Sequence, residues 1–143
     1  PERPAGSAQS ALAANPGSAA RGPNTDEIEA LFVNFVDSYD RGRLDAIAAL
    51  FDDDARTDER HGRAEIRRDY DELFRRSDWR RMRLTRVSWK HVGEVTHARA
   101  EAAIRMGWRD GREIEERLAM DIELARRDGR VVITRLSQRA GAP

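Results

Sequence analysis

Apolar residues in the first half of the chain repeat at helical spacing. Between Asn24 and Arg41 they recur every three or four residues, so that one helix face carries Ile28, Leu31, Phe32, Phe35, Val36 and Tyr39. Asn24, with Glu27 three residues later, matches a capping box at the start of this helix, and Gly42 is placed to end it. Shorter runs of the same period predict a second helix over 44–51 and a third over 63–77.

The second half of the chain changes to a period of two. Four segments are rich in β-branched, aromatic or alternating residues: 82–89, 95–108, 113–125 and 130–138. Gly93, Gly111 and Gly129 lie between them at hairpin spacing, the last two directly after an aspartate. A shorter strand is predicted over 55–60. The pattern therefore indicates an α+β domain, with three N-terminal helices packed on an antiparallel meander.

The N-terminal stretch has a different composition from the rest. Residues 1–23 are mostly Pro, Gly, Ser and Ala with the isolated Leu12, and such a segment has little to bury against the entropy of ordering. We therefore expect a flexible linker over 1–23, a domain over 24–139 and a short tail over 140–143. Because the chain begins at Pro1 rather than Met, we also expect it to be a processed chain or the C-terminal part of a larger protein.

Charge and composition exclude several classes of binding partner and of site chemistry. The chain has 26 basic and 26 acidic residues, so no global field favours nucleic acid or an anionic membrane, and neither partner is expected. With no cysteine there is no disulfide, thiolate metal site or cysteine nucleophile, and the compartment stays open. No apolar run approaches the roughly 20 residues that cross a bilayer. No phosphate loop, dinucleotide fingerprint or metal-binding histidine pair is present, so we expect no cofactor and no metal.

The order of the elements resembles the nuclear transport factor 2-like superfamily, which includes SnoaL-like polyketide cyclases and ketosteroid isomerases. Two segments carry the resemblance: His61-Gly62-Arg63-Ala64-Glu65-Ile66, which opens the third helix, and Asp128-Gly129-Arg130-Val131, before the last strand. The resemblance implies a cone whose curved sheet wraps around the helices, often dimerised through the outer face of the sheet. It also implies a cup for a small apolar ligand, with Phe35, Tyr39, Tyr70, Phe74 and Trp108 as the expected pocket residues.

The same resemblance implies candidate catalytic residues. Glu59 falls where ketosteroid isomerases hold a carboxylate base, and Asp121 falls where they keep a protonated aspartic acid in the oxyanion hole. An apolar cup would raise both carboxyl pKa values and suit proton abstraction next to a carbonyl. The tyrosine that completes the oxyanion hole corresponds to Phe35, and losing one such donor costs on the order of 2.7 to 4 kcal/mol. His61 is a candidate proton carrier, or else a loop histidine with an ordinary hydrogen bond.

The segment 113–125 leaves one question open. Its apolar row contains Ile114, Leu118, Met120, Ile122 and Leu124, and its charged row contains Glu113, Glu115, Arg117, Asp121 and Glu123. Only one row can face the helices. If the apolar row does, Asp121 points outward and the isomerase interpretation fails. If the charged row does, a second subunit must cover the apolar row.

Two functional hypotheses follow, and a third is weaker. The leading hypothesis is a non-catalytic ligand-binding or association module, because the acid–base set is incomplete and the linker suggests attachment to another domain. The alternative is a small-molecule isomerase, cyclase or dehydratase that uses Glu59, Asp121 and either His61 or Tyr39. The third is anion or nucleic-acid recognition by a basic patch around Trp79, whose members are Arg75, Arg76, Arg80, Arg81, Arg83 and Arg86. The competing interpretation of that patch is an ordinary salt-bridged surface.

Overall fold

The computed structural model describes residues 22–141, so the predicted linker lies almost wholly outside the described residues. The helices are α1 (Thr25–Arg41), α2 (Leu44–Ala48) and α3 (Arg63–Arg76). The strands are β1 (Phe51–Thr57), β2 (Ser77–Val92), β3 (Val95–Trp108), β4 (Glu113–Arg127) and β5 (Arg130–Ala140). They form one open, curved sheet in the order β1-β5-β4-β3-β2, in which only the β1–β5 pair is parallel. The predicted α+β fold class is confirmed.

The first helix forms as its sequence predicts. The Glu27 amide donates to Asn24 Oδ1 at 2.8 Å, and the Asn24 amide donates to Glu27 Oε1 at 3.0 Å, which completes the capping box. At the other end Gly42 takes the left-handed conformation with φ +66°, which ends the helix. The apolar stripe of α1 is buried against the sheet.

Several element boundaries differ from those predicted. The second helix ends at Ala48 rather than at position 51, β1 ends at Thr57 rather than at position 60, and two strands begin earlier than expected. β1 begins at Phe51 rather than at position 55, and it contains the three aspartates at 52–54 that were expected to end a helix. Phe51 and Ala55 are fully buried while Asp53 and Asp54 are exposed, since an edge strand can leave carboxylates in water. β2 begins at Ser77 rather than at position 82 because its pairing with β3 continues to the end of α3. Tertiary pairing therefore overrides the local signals at both places.

The apolar row of β4 faces the helices. Met120, Ile122 and Leu124 are buried in the core, together with Leu31 and Phe35 of α1. The alternate row lies on the outer face of the sheet, where Asp121 pairs with Arg99 of β3 and Arg139 of β5. This orientation answers the question that the sequence left open.

The described helices include none that is both long enough and apolar enough to cross a membrane.

Candidate functional site

A cleft of about 750 Å³ opens between the helices and the inner face of the sheet. Its walls come from α1, α3 and the inner rows of β2 to β5, and they include Phe35, Tyr39, Ile66, Met82, Ile104 and Leu118. Polar groups lie at its mouth, where the loop after β1 meets the start of β4 and the end of β5. A largely apolar concavity with a few polar groups is the usual form of a small-molecule site.

Four of the five expected pocket residues lie on this wall: Phe35, Tyr39, Tyr70 and Trp108. Phe74 does not line the cleft. Its ring lies 6.3 Å from the Tyr39 ring, and the Arg80 guanidinium stacks on it at 4.7 Å. Phe74 therefore supports the wall from behind.

Arg80 fixes the position of Tyr39. It belongs to the inner row of β2 and is only 6% exposed. Its Nε donates to the Tyr39 carbonyl at 2.9 Å, and its Nη1 donates to the Ser77 hydroxyl oxygen at 2.6 Å. Burial lowers the pKa of Arg80. The buried guanidinium ties the end of α1 to the start of β2, and so holds Tyr39 on the cleft wall.

The two tyrosines of the cleft remain protonated. Burial is the main reason that the pKa of Tyr39 is raised, and the negative charge of Glu116 raises it further. Burial likewise raises the pKa of Tyr70. Both hydroxyl groups are therefore neutral near pH 7 and can donate a hydrogen bond to a ligand.

Asp121 lies outside the cleft, contrary to the catalytic arrangement expected for it. Its carboxylate accepts from Arg139 Nη1 at 2.6 Å and contacts Arg99 Nε at 3.0 Å on the outer face of the sheet. The hydrogen bond from Arg139 lowers the pKa of Asp121, so the carboxyl is ionised rather than protonated. The residue borders a second groove with Lys90 and His97 on that face. Asp121 and Glu59 therefore do not share a site.

The other two candidates lie near the mouth. Glu59 borders the cleft on the exposed loop after β1, and only its amide is engaged, with Thr57 Oγ1 at 3.4 Å. His61 is exposed and is not on the cleft wall, and its amide donates to Glu65 Oε1 at 3.2 Å. Over residues 22–141, no three or more His, Cys, Asp or Glu side chains are arranged to hold a metal ion.

Glu116 belongs to the site and was missed in the sequence. It lies in the same β4 row as Ile114 and Leu118, opposite Ile104 of β3, and it borders the cleft. Between Ile114 and Leu124 it is the one charged residue of that row, and strict alternation counted back from Leu118 would have found it.

Asp40 was also missed. Its Oδ1 accepts the Met82 amide at 2.8 Å, and burial raises the pKa of its carboxyl. Asp40 is not on the cleft wall, although its neighbour Tyr39 and its partner Met82 are.

The arginines around Trp79 do not form one patch. Arg80 is buried in the core, whereas three of the exposed members are paired: Arg75 with Asp71 at 3.3 Å, Arg76 with Glu72 at 3.4 Å, and Arg86 with Glu101 at 3.7 Å. This arrangement matches the salt-bridged surface that was the competing interpretation.

Helices held inside an open, curved sheet over an apolar cleft define the nuclear transport factor 2-like fold, and solved structures with this fold match the chain. One is a candidate aromatic ring hydroxylase from Novosphingobium aromaticivorans, with TM-score 0.77 and 21% identity over 82% of this chain and 88% of that one. Another is a candidate dehydratase of the nuclear transport factor 2-like family from Streptomyces avermitilis, with TM-score 0.71 and 12% identity over 82% and 96% of the two chains.

A third match is LinA, with TM-score 0.72 and 14% identity over 82% of this chain and 85% of that one. These similarities confirm the fold that the sequence resemblance implied. No protein-family model matches the sequence, and no curated protein is similar to it in sequence.

Proposed function

We propose that the domain binds a small, largely apolar ligand in the cleft without transforming it. The observation that supports this most directly is the separation of the candidate acid–base groups. Asp121 lies on the outer face of the sheet, held by Arg99 and Arg139, while Glu59 lies at the exposed mouth. Aromatic and aliphatic side chains line the cleft and can contact an apolar ligand. The neutral hydroxyl groups of Tyr39 and Tyr70 can donate hydrogen bonds to it.

The test is calorimetric titration with 1-naphthalenemethanol, a neutral probe small enough for a 750 Å³ cleft. Leu118 is half-buried on the cleft wall, so Leu118→Trp should fill the space and abolish binding. Val33→Trp is the control, since Val33 is 67% exposed on α1 and outside the cleft. Binding that survives Leu118→Trp, or an absence of binding to the unaltered chain, would refute the proposal.

A dehydratase or isomerase is the second candidate. A candidate dehydratase among the structural matches favours it. Glu59 is the carboxylate at the cleft mouth that could transfer a proton to or from a bound substrate. If a substrate is found to turn over, Glu59→Gln should lower kcat by about a hundredfold or more, whereas Asp40→Asn, outside the cleft, should change it little. Equal rates for Glu59→Gln and the unaltered chain would remove this candidate.

A further inference from the structure

Two acidic residues, Glu116 and Glu59, border the cleft near its mouth. Glu116 comes from the inner row of β4, and Glu59 comes from the loop after β1. In the part of the chain that the structure describes, residues 22–141, neither carboxylate takes part in an ion pair or a side-chain hydrogen bond. Glu116 is also close enough to Tyr39 for its charge to raise the pKa of that hydroxyl group, after the larger effects of burial, which raises it, and of Arg80, which lowers it. The mouth therefore carries two carboxylates that no described side chain pairs.

All but one of the arginines near the mouth are engaged elsewhere, and the exception is Arg117. Three are held in ion pairs: Arg60 with Asp69 at 3.0 Å, Arg76 with Glu72 at 3.4 Å, and Arg139 with Asp121 at 2.6 Å. Arg80 lies behind the wall, bonded to the Tyr39 carbonyl and to Ser77. Arg117 borders the cleft, but it occupies the outer row of β4 between Glu116 and Leu118. No cation therefore projects from the inner row of β4 to meet an anionic ligand.

Aromatic side chains line the same cleft as Glu116. Tyr39 and Phe35 are 5% and 3% exposed, and Trp108 lies on the same wall. The negative faces of aromatic rings attract cations, and a cleft with charge of one sign and apolar walls concentrates the field at its mouth. The chain as a whole has no net charge, so any preference for a charged ligand must come from this local arrangement.

We infer that the ligand of the cleft is an aromatic or aliphatic molecule that carries a protonated amine, and that Glu116 binds this amine. The inference rests on the proposed binding function and specifies its ligand class. The apolar part of the ligand occupies the wall, and the ammonium group stays at the mouth beside the carboxylate. Placing the charge at the mouth avoids the cost of burying an unpaired ion.

The test uses three probes that share one ring system: 1-naphthalenemethylammonium, 1-naphthalenemethanol and 1-naphthaleneacetate. Each is titrated calorimetrically into the 143-residue chain, Glu116→Gln and Glu115→Gln. Glu115 is the matched control, since it is the next residue of β4 but lies in the outer row opposite Arg105. Circular dichroism and melting temperature establish that the variants are folded.

We expect the ammonium to bind most tightly and the carboxylate most weakly. Glu116→Gln should weaken ammonium binding by about tenfold or more, because a charge-assisted hydrogen bond is lost, and should leave the alcohol unchanged. Glu115→Gln should change neither. The inference is overturned if the carboxylate binds most tightly, or if Glu116→Gln leaves ammonium affinity intact while the alcohol still binds. If none of the probes binds the unaltered chain, the proposed function itself fails.

Discussion

Asp121 illustrates how the role of a single residue depends on the face of the strand. On the outer face it is an ion-pair partner whose side chain is 37% exposed, and its neighbours lower its pKa. On the inner face the same carboxyl would sit among buried apolar groups, which would raise its pKa and favour the protonated form. The register of β4 therefore decides between a surface ion pair and a catalytic acid.

The ion pairs of Asp121 should make stability fall in acid. A carboxyl whose pKa is lower in the folded state than its usual 3.8 stabilises the fold above that value, and this contribution is lost as pH falls through the folded-state pKa. Asp121→Asn should therefore lower the free energy of unfolding by less than about 1 kcal/mol at pH 7, since the pair is partly exposed. Below pH ~3 the difference should shrink.

Urea denaturation from pH 7 to pH 2.5 measures this effect. Glu113→Gln on the exposed start of β4 is the control, because no salt bridge engages that side chain among the described residues. A difference that grows as the pH falls would contradict the account.

The boundaries that the sequence predicts well are those at which local chemistry and tertiary packing agree. The capping box of α1, the Gly42 cap and the hairpin glycines are local chemistry, and the sequence predicts them well. The start of β1 was missed because the aspartate run is locally unfavourable, yet pairing of Phe51 with Ile133 holds it in the sheet. The start of β2 was missed because its first residues are held in the sheet by pairing with β3 rather than by a local strand pattern.

The candidate site was harder to predict than the fold. The resemblance assigned a catalytic role to Asp121, and such an assignment needs an alignment that is accurate to one residue. An error of one residue turns a strand side chain to the other face of the sheet. Alternation assigns each residue of β4 to a row, but it does not say which row faces the helices. Alternation alone would have placed Glu116 in the row of Ile114 and Leu118. It was missed because the other residues of that row are apolar, and the row was interpreted as apolar throughout.

Gly107 allows β2 and β3 to pair closely. Trp79 lies opposite Gly107, and a Cβ at position 107 would overlap the Trp79 indole. Gly107→Ala should therefore destabilise the protein by about 1 to 3 kcal/mol, as overpacking does. In a Trp79→Leu background the same substitution should cost much less, because the smaller side chain leaves room.

A double-mutant cycle measured by thermal or urea unfolding quantifies this coupling. Equal costs of Gly107→Ala in the two backgrounds would show that the indole is not what the glycine accommodates.

At the scale of the whole molecule, the two ends of the sheet differ. The cleft mouth lies near the start of β4, whereas Gly22, the first described residue, lies near the other end. There Arg126 donates to the Gly22 carbonyl at 3.0 Å and pairs with Glu27 at 2.6 Å. The described N-terminal end of the domain is therefore held at the end of the sheet opposite the cleft mouth.

We also propose that two copies associate through the outer face of the sheet, as the fold resemblance implies. Sedimentation equilibrium should then give twice the 16.3 kDa chain mass. Ala119→Glu, which adds a charge in the outer row between Glu101 and Arg139, should shift the equilibrium toward monomer by about tenfold or more. The control Val33→Glu, on α1, should leave the monomer–dimer equilibrium unchanged. A monomer for the unaltered chain at tens of micromolar would rule this assembly out.

The central claim is that the inner cleft is the binding site. Titrating 1-naphthalenemethanol into the isotopically labelled chain, followed by amide chemical shifts, tests it most directly. We predict that the largest shifts map to the cleft wall, at Tyr39, Ile104 and Leu118. Shifts concentrated at Lys90, His97 and Glu123, in the groove on the outer face, would contradict it, as would no saturable shifts at all.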